Sequence, residues 1–231
     1  IHDTLKEVLA KVGDTLSVHS EVFSPFSQFM ELLDFQNGLM ALMDDRGKCH
    51  AMLERLTEGA IDLGCRQAEC GVEAVLISSA FAGAGFIGRD MYSEFVLPYE
   101  KKLIEGVKRR FDVKVYTHTC GAIGDRLEMM LETGTNGIDT LDPPPLGTVE
   151  LEDAVERLRG RAFIKGNLDP VNTMLLGDKE KVKAAVEHRL ETAGPGGGYI
   201  LSTACSMPPK TPPEHIEMLM ELTEELGRFG G

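Results

Sequence analysis

Residues 115–125 read VYTHTCGAIGD, an apolar and β-branched run that ends by presenting His118 and Cys120 two positions apart. Side chains on a strand repeat every two residues, so the imidazole and the thiol stand on one face. A second thiol, Cys205, closes another apolar run, GYILSTAC. One imidazole and two thiolates form a preferred donor set for Zn²⁺, whose tetrahedral geometry tolerates ligands from separate strands. Each residue alone has a plainer reading. Cysteine is among the most buried residue types and often serves as a small hydrophobe. His118 could be a core histidine satisfied by a backbone carbonyl, and Cys205 could be incidental to its loop. The joint occurrence at strand ends favours a metal. Cys65 and Cys70 fall about 140° apart around a helix and share no face. With Cys49, near a helix start, they read as structural.

The elements that must position these groups alternate in type. The pattern predicts strands over 14–20, 73–81, 113–119, 137–142, 162–167 and 198–204. It predicts helices over 26–43, with Gly38 a weak point, and over 48–71, then 91–111, interrupted at Pro98. Further helices are expected over 123–134, 151–159, 178–194 and 212–229. The strands are continuous apolar runs, the mark of a parallel sheet covered by helices. No glycine fingerprint follows the first strand, so a dinucleotide fold gains no support. The expectation is an α/β fold of the (β/α)8 TIM-barrel type, in which chemistry gathers at the C-terminal ends of the strands. Such a barrel needs eight units, and six are read here. Because the chain begins at Ile1 rather than Met, the expectation is a single domain over 1–231 that lacks its first two units.

At the strand ends the sequence places His118-Thr119-Cys120, Asp139-Thr140-Leu141-Asp142, Gly166-Asn167-Leu168-Asp169-Pro170 and Ser202-Thr203-Ala204-Cys205. Asp142-Pro143-Pro144-Pro145 is a rigid exit that would hold Asp142 at the mouth. Gly194-Pro195-Gly196-Gly197-Gly198 precedes a strand rather than a helix, so it reads as a connector and not a phosphate loop. The formal net charge of −13 argues against nucleic acid. The one basic run, Lys108-Arg109-Arg110, closes a helix and complements its dipole. No apolar run approaches a membrane span. Five cysteines, an odd number, suit a reducing compartment, and the cytoplasm is the expected location. An incomplete barrel would expose strand edges that invite pairing with a second copy.

The stretches GNLDP (166–170), GGGYILSTACSMPPKTPPEHI (196–216), FAGAGFIGRDMYSEFVLPYEKKL (81–103) and HTCG (118–121) resemble the uroporphyrinogen decarboxylase superfamily. This (β/α)8 family includes the decarboxylases and the zinc-dependent corrinoid methyltransferases. The resemblance implies that the six units are the third to the eighth. In the decarboxylases, a Tyr, a Ser and a His occupy positions that align with Glu31, Ala80 and Cys205, so all three readable positions depart. The methyltransferase branch carries His-x-Cys after the fifth strand and Cys after the eighth, all binding zinc, as His118, Cys120 and Cys205 would. That branch places an acidic ligand about twenty residues after the first Cys. Asp142, 22 residues after Cys120, is the fourth-ligand candidate, an Asp where Glu is usual. Asn167 and Asp169 would orient the ligands or the substrate. The resemblance thus implies a zinc-dependent methyltransferase. Methylcobalamin, free or on a corrinoid protein, would be the donor and a small thiol the acceptor. The alternative is uroporphyrinogen decarboxylase, which needs no metal, or another tetrapyrrole-acting enzyme.

Overall fold

The structure is a computed structural model and describes residues 2–229; Ile1, Gly230 and Gly231 lie outside it. Six parallel strands follow chain order, β1 to β6, with helices between them. The chain divides into two compact units, Ile1–Thr119 with Arg126–Asn136, and Cys120–Asp125 with Gly137–Gly231.

The first unit holds β1 (His19–Phe23), β2 (Ala74–Ser78) and β3 (Lys114–His118), in register from His19↔Ala74 to Ser78↔His118. Its helices are α1 (His2–Val12), α2 (Pro25–Leu33), α3 (Phe35–Asp44), α4 (Arg46–Glu69), α5 (Arg89–Phe95), α6 (Leu97–Lys108) and α7 (Leu127–Glu132). Val75, Ile77 and Val115 of the strands pack against Ala60 and Cys65 of α4 and Leu103, Ile104 and Val107 of α6. The strands are apolar because helices cover them, and each fully buried aliphatic there contributes roughly 1.5–3 kcal/mol.

The second unit holds β4 (Gly137–Thr140), β5 (Phe163–Leu168) and β6 (Tyr199–Thr203), with Asp139↔Lys165 and Asn167↔Ser202 in register. Its helices are α8 (Leu151–Leu158), α9 (Lys179–Ala193) and α10 (Pro213–Leu226). Leu168 packs with Met174, with Val182, Val186 and Leu190 of α9, and with Leu222 of α10.

Five of the expected strands lie where the pattern puts them. The first is displaced: Asp14 and Thr15 are turn and Leu16 is bend, and β1 begins at His19. Thr15 and Leu16 N–H groups bond back to the Val12 carbonyl, which closes α1 rather than starting a strand. The helix expected over 26–43 breaks at Asp34, not at Gly38. Asp34 takes a φ of 63°, and its carboxylate accepts from the Gln36 N–H, capping α3. The break expected at Pro98 falls at Val96, and Pro98 sits in the first turn of α6, where no N–H is needed. The helix expected over 123–134 shrinks to Leu127–Glu132. Cys49 and Cys65 are buried, consistent with structural roles. No helix among the described residues is long and apolar enough to cross a membrane.

Candidate metal centre

β3 ends at His118, and Cys120 follows two residues on, before Gly121. Gly121 adopts a φ of 77°, which turns its N–H toward Asp142; the Asp142 Oδ2 accepts that bond at 2.6 Å. A side chain at this backbone angle is disfavoured, so glycine suits the turn. Asp142 reaches this position through an unusual exit from β4. Thr140 and Leu141 have φ of 87° and 46°. Such conformations cost about 1–3 kcal/mol each and persist only where surrounding packing holds them. Here both residues are fully buried. The return of the proline segment passes so close that a Cβ on Gly147 would lie 1.6 Å from the Asp142 carbonyl oxygen.

Cys205 is set by the end of β6. The Ala204 N–H donates to the Leu168 carbonyl at 2.7 Å, tying the strand exit to β5. The Thr203 hydroxyl donates to the Cys205 carbonyl at 2.7 Å, fixing the next turn. The consequence is convergence: the ligating atoms of His118, Cys120 and Cys205 all lie within 4.8 Å of one another. All three side chains are half-buried.

The groups that act most strongly on Cys120 all disfavour its thiolate. Burial pushes the Cys120 thiol up to about 12, and Cys205, Asp142 and Asp139 add to the rise. Buried thiols beside carboxylates resist ionisation until a cation arrives, and a divalent ion reverses that preference. The donor set and its field therefore fit a soft-to-borderline dication such as zinc. Asp142 stands close enough to influence Cys120, while one of its oxygens serves Gly121.

The other two expected residues take different places. Asp169 is committed to the π-type turn Pro170–Leu175: its oxygens accept from the N–H groups of Val171 and Asn172 and from the Asn172 amide. Asn167 is buried at the end of β5, its carbonyl accepting from Arg189 at 3.1 Å and its Oδ1 without a hydrogen-bond partner among the described residues. Two features escape a reading of strand ends. Lys165, inside β5, pairs with Asp139 at 2.8 Å. A lysine directly after the apolar residues Ala162-Phe163-Ile164 was the available signal. Glu100, fully buried on α6, accepts from the Ser79 hydroxyl at 2.5 Å, and burial raises its carboxyl to about 7. Nothing in the helical pattern of α6 marks it.

A family model for uroporphyrinogen decarboxylase (URO-D) matches residues 1–226. The chain belongs to this family. Among curated URO-D relatives, the uroporphyrinogen decarboxylase of Ralstonia pickettii is 32% identical over 78% of this chain and 48% of its own length. That of Ruthia magnifica is 29% identical over 78% of this chain and 50% of its own. The chain thus spans about half the length of the curated relatives it matches. In fold, it is similar to a methyltransferase from Methanosarcina mazei, with a TM-score of 0.85 at 21% identity, covering 97% of this chain and 63% of that one. A B12-independent methionine synthase from Shewanella is also similar in fold, with a TM-score of 0.60 at 14% identity, covering 97% and 66%.

Proposed function

We propose that this URO-D family chain carries the zinc and thiol site of a methyltransferase that moves a methyl group from a methyl-corrinoid to a small thiol. The observation that carries the reading is the convergence of His118, Cys120 and Cys205 within 4.8 Å. Those three residues would hold the ion, and Asp142 is the fourth-ligand candidate. Zinc, when bound, would lower the pKa of a thiol acceptor and fix its direction. The residues supply the rest. Gly121 holds the Asp142 carboxylate, and the bond from Ala204 to Leu168 pins the segment that bears Cys205. The acceptor thiol gives its proton to solvent. A methyl-corrinoid, when bound, would supply the methyl group to that sulfur and keep the electron pair of the broken bond. A corrinoid protein or free methylcobalamin is the partner. Five cysteines, none in a disulfide, suit a reducing, cytoplasmic setting.

The test is metal content. The wild-type chain should bind one zinc, and His118→Ala and Cys205→Ala should each weaken binding by at least about tenfold. Full retention in both variants would remove the basis of the proposal.

A second reading is favoured by the names of the curated relatives, uroporphyrinogen decarboxylases at 29% and 32% identity. Against it stand Glu31, Ala80 and Cys205, where the resemblance implies Tyr, Ser and His in that branch. Release of carbon dioxide from uroporphyrinogen by zinc-stripped protein would support it.

A further inference from the structure

We propose that Phe35, Phe81 and Phe86 form the surface that receives the macrocycle of the methyl donor, and that this surface favours a corrin ring with neutral amide side chains over a polycarboxylate porphyrinogen. The proposal rests on the methyl-transfer reading above. All three rings belong to the first unit. Phe35 opens α3, and Phe81 and Phe86 lie in the segment between β2 and α5. Their centroids stand 5.9 Å (Phe35 to Phe81), 5.2 Å (Phe35 to Phe86) and 5.8 Å (Phe81 to Phe86) apart, the spacing of favourable aromatic pairs. Phe35 is 38% and Phe86 43% exposed. Single exposed apolar residues are ordinary, but a contiguous cluster of rings marks a binding surface.

The cluster is held from beneath. Arg126 is fully buried; its Nη1 donates to the Ala82 carbonyl at 2.7 Å and its Nη2 to the Ile87 carbonyl at 3.1 Å. Its guanidinium also lies over the Tyr92 ring. A charge taken out of water to bond two main-chain carbonyls fixes the segment that carries Phe86. The same segment starts beside a candidate metal ligand: the Ser79 N–H donates to the His118 carbonyl at 2.8 Å. Phe81 follows two residues later, at most about 7 Å along the chain. A macrocycle resting on the rings therefore lies next to the strand end that bears His118. Charge selects the kind of ring. Segments 24–44 and 79–89 carry Glu31, Asp34 and Asp44 but one basic residue, Arg89. Asp34 directly precedes Phe35. The carboxylates of a porphyrinogen would meet no cluster of cations in these segments, on a chain of net charge −13. The amide periphery of a corrin is uncharged, and the methyl groups on its ring edge pack against aromatic faces.

Equilibrium dialysis of the full chain against methylcobalamin, read by corrin absorbance, tests this, with zinc content measured on the same samples. Wild type should bind methylcobalamin about tenfold tighter than uroporphyrin. Phe35→Ser and Phe86→Ser, both at exposed positions, should each weaken methylcobalamin about tenfold and leave zinc content unchanged. Leu16→Ser, at an exposed leucine before the start of β1, should change neither. Undiminished binding in both phenylalanine variants overturns the proposal. So does an equal loss in Leu16→Ser, or tighter binding of uroporphyrin than of methylcobalamin. Wild type that takes up zinc but no methylcobalamin also overturns it, and leaves the metal centre standing. If wild type binds methylcobalamin through the rings but no zinc, the metal reading fails and the ring surface stands.

Discussion

At the scale of single residues, charge and burial decide what each group does. Half-buried Cys120 and fully buried Glu100 are both acids whose protons are held more tightly than usual, but for different ends. Cys120 sits among groups that a dication would satisfy. Glu100 has no cation among the groups that set its pKa; only the hydroxyls of Ser79 and Tyr92 favour its charged form. Its folded pKa of about 7 lies above the ordinary 4.5. Folded protein therefore binds the Glu100 proton more tightly than unfolded protein does. That contribution to stability is fully present below about 4.5 and is lost as pH rises toward 7. The loss should be on the order of 3 kcal/mol. Denaturant titrations across this range should show the slope in wild type and a flattened one in Glu100→Gln. An identical slope in both would assign the effect elsewhere.

At the scale of elements, the site is made by how strands end. β3 delivers His118 and Cys120 by simple alternation. β4 leaves through two left-handed residues, and the proline segment returns against the Asp142 carbonyl with room only for glycine. Gly147→Ala should therefore displace that return. Overpacking of this kind costs about 1–3 kcal/mol. If Asp142 is a zinc ligand, the same change should also weaken zinc binding. Paired denaturant and zinc titrations separate the two effects, and a Gly147→Ala variant as stable as wild type would contradict the geometry.

At the scale of the whole molecule, the chain carries 37 acidic and 24 basic residues, and the candidate centre concentrates acids further. A dication that binds the folded form alone stabilises it by mass action, about 2.7 kcal/mol at a hundredfold excess over Kd. Zinc should raise the melting temperature in a concentration-dependent way, and a chelator should reverse the gain. The thiols must shed protons to bind, so the gain should grow with pH: the raised pKa of Cys120 means that low pH competes with the metal. A melting temperature indifferent to zinc at every pH would count against the centre.

Much of this was legible without coordinates. Strand order, five of six strand positions, and the pairing of His118 with Cys120 follow from local periodicity, because side-chain alternation and apolar runs are short-range properties; α1 (His2–Val12) went unread. Asp34 shows the limit: a helix break at a non-glycine residue depends on capping and packing rather than pattern. The meeting of Cys205 with Cys120, 85 residues apart in sequence, the backbone turn at Thr140 and Leu141, the burial of Glu100 and the Lys165–Asp139 pair were decided only by tertiary structure. Each depends on which distant strand or helix lies alongside, and that is a balance of packing over the whole unit that no local stretch encodes.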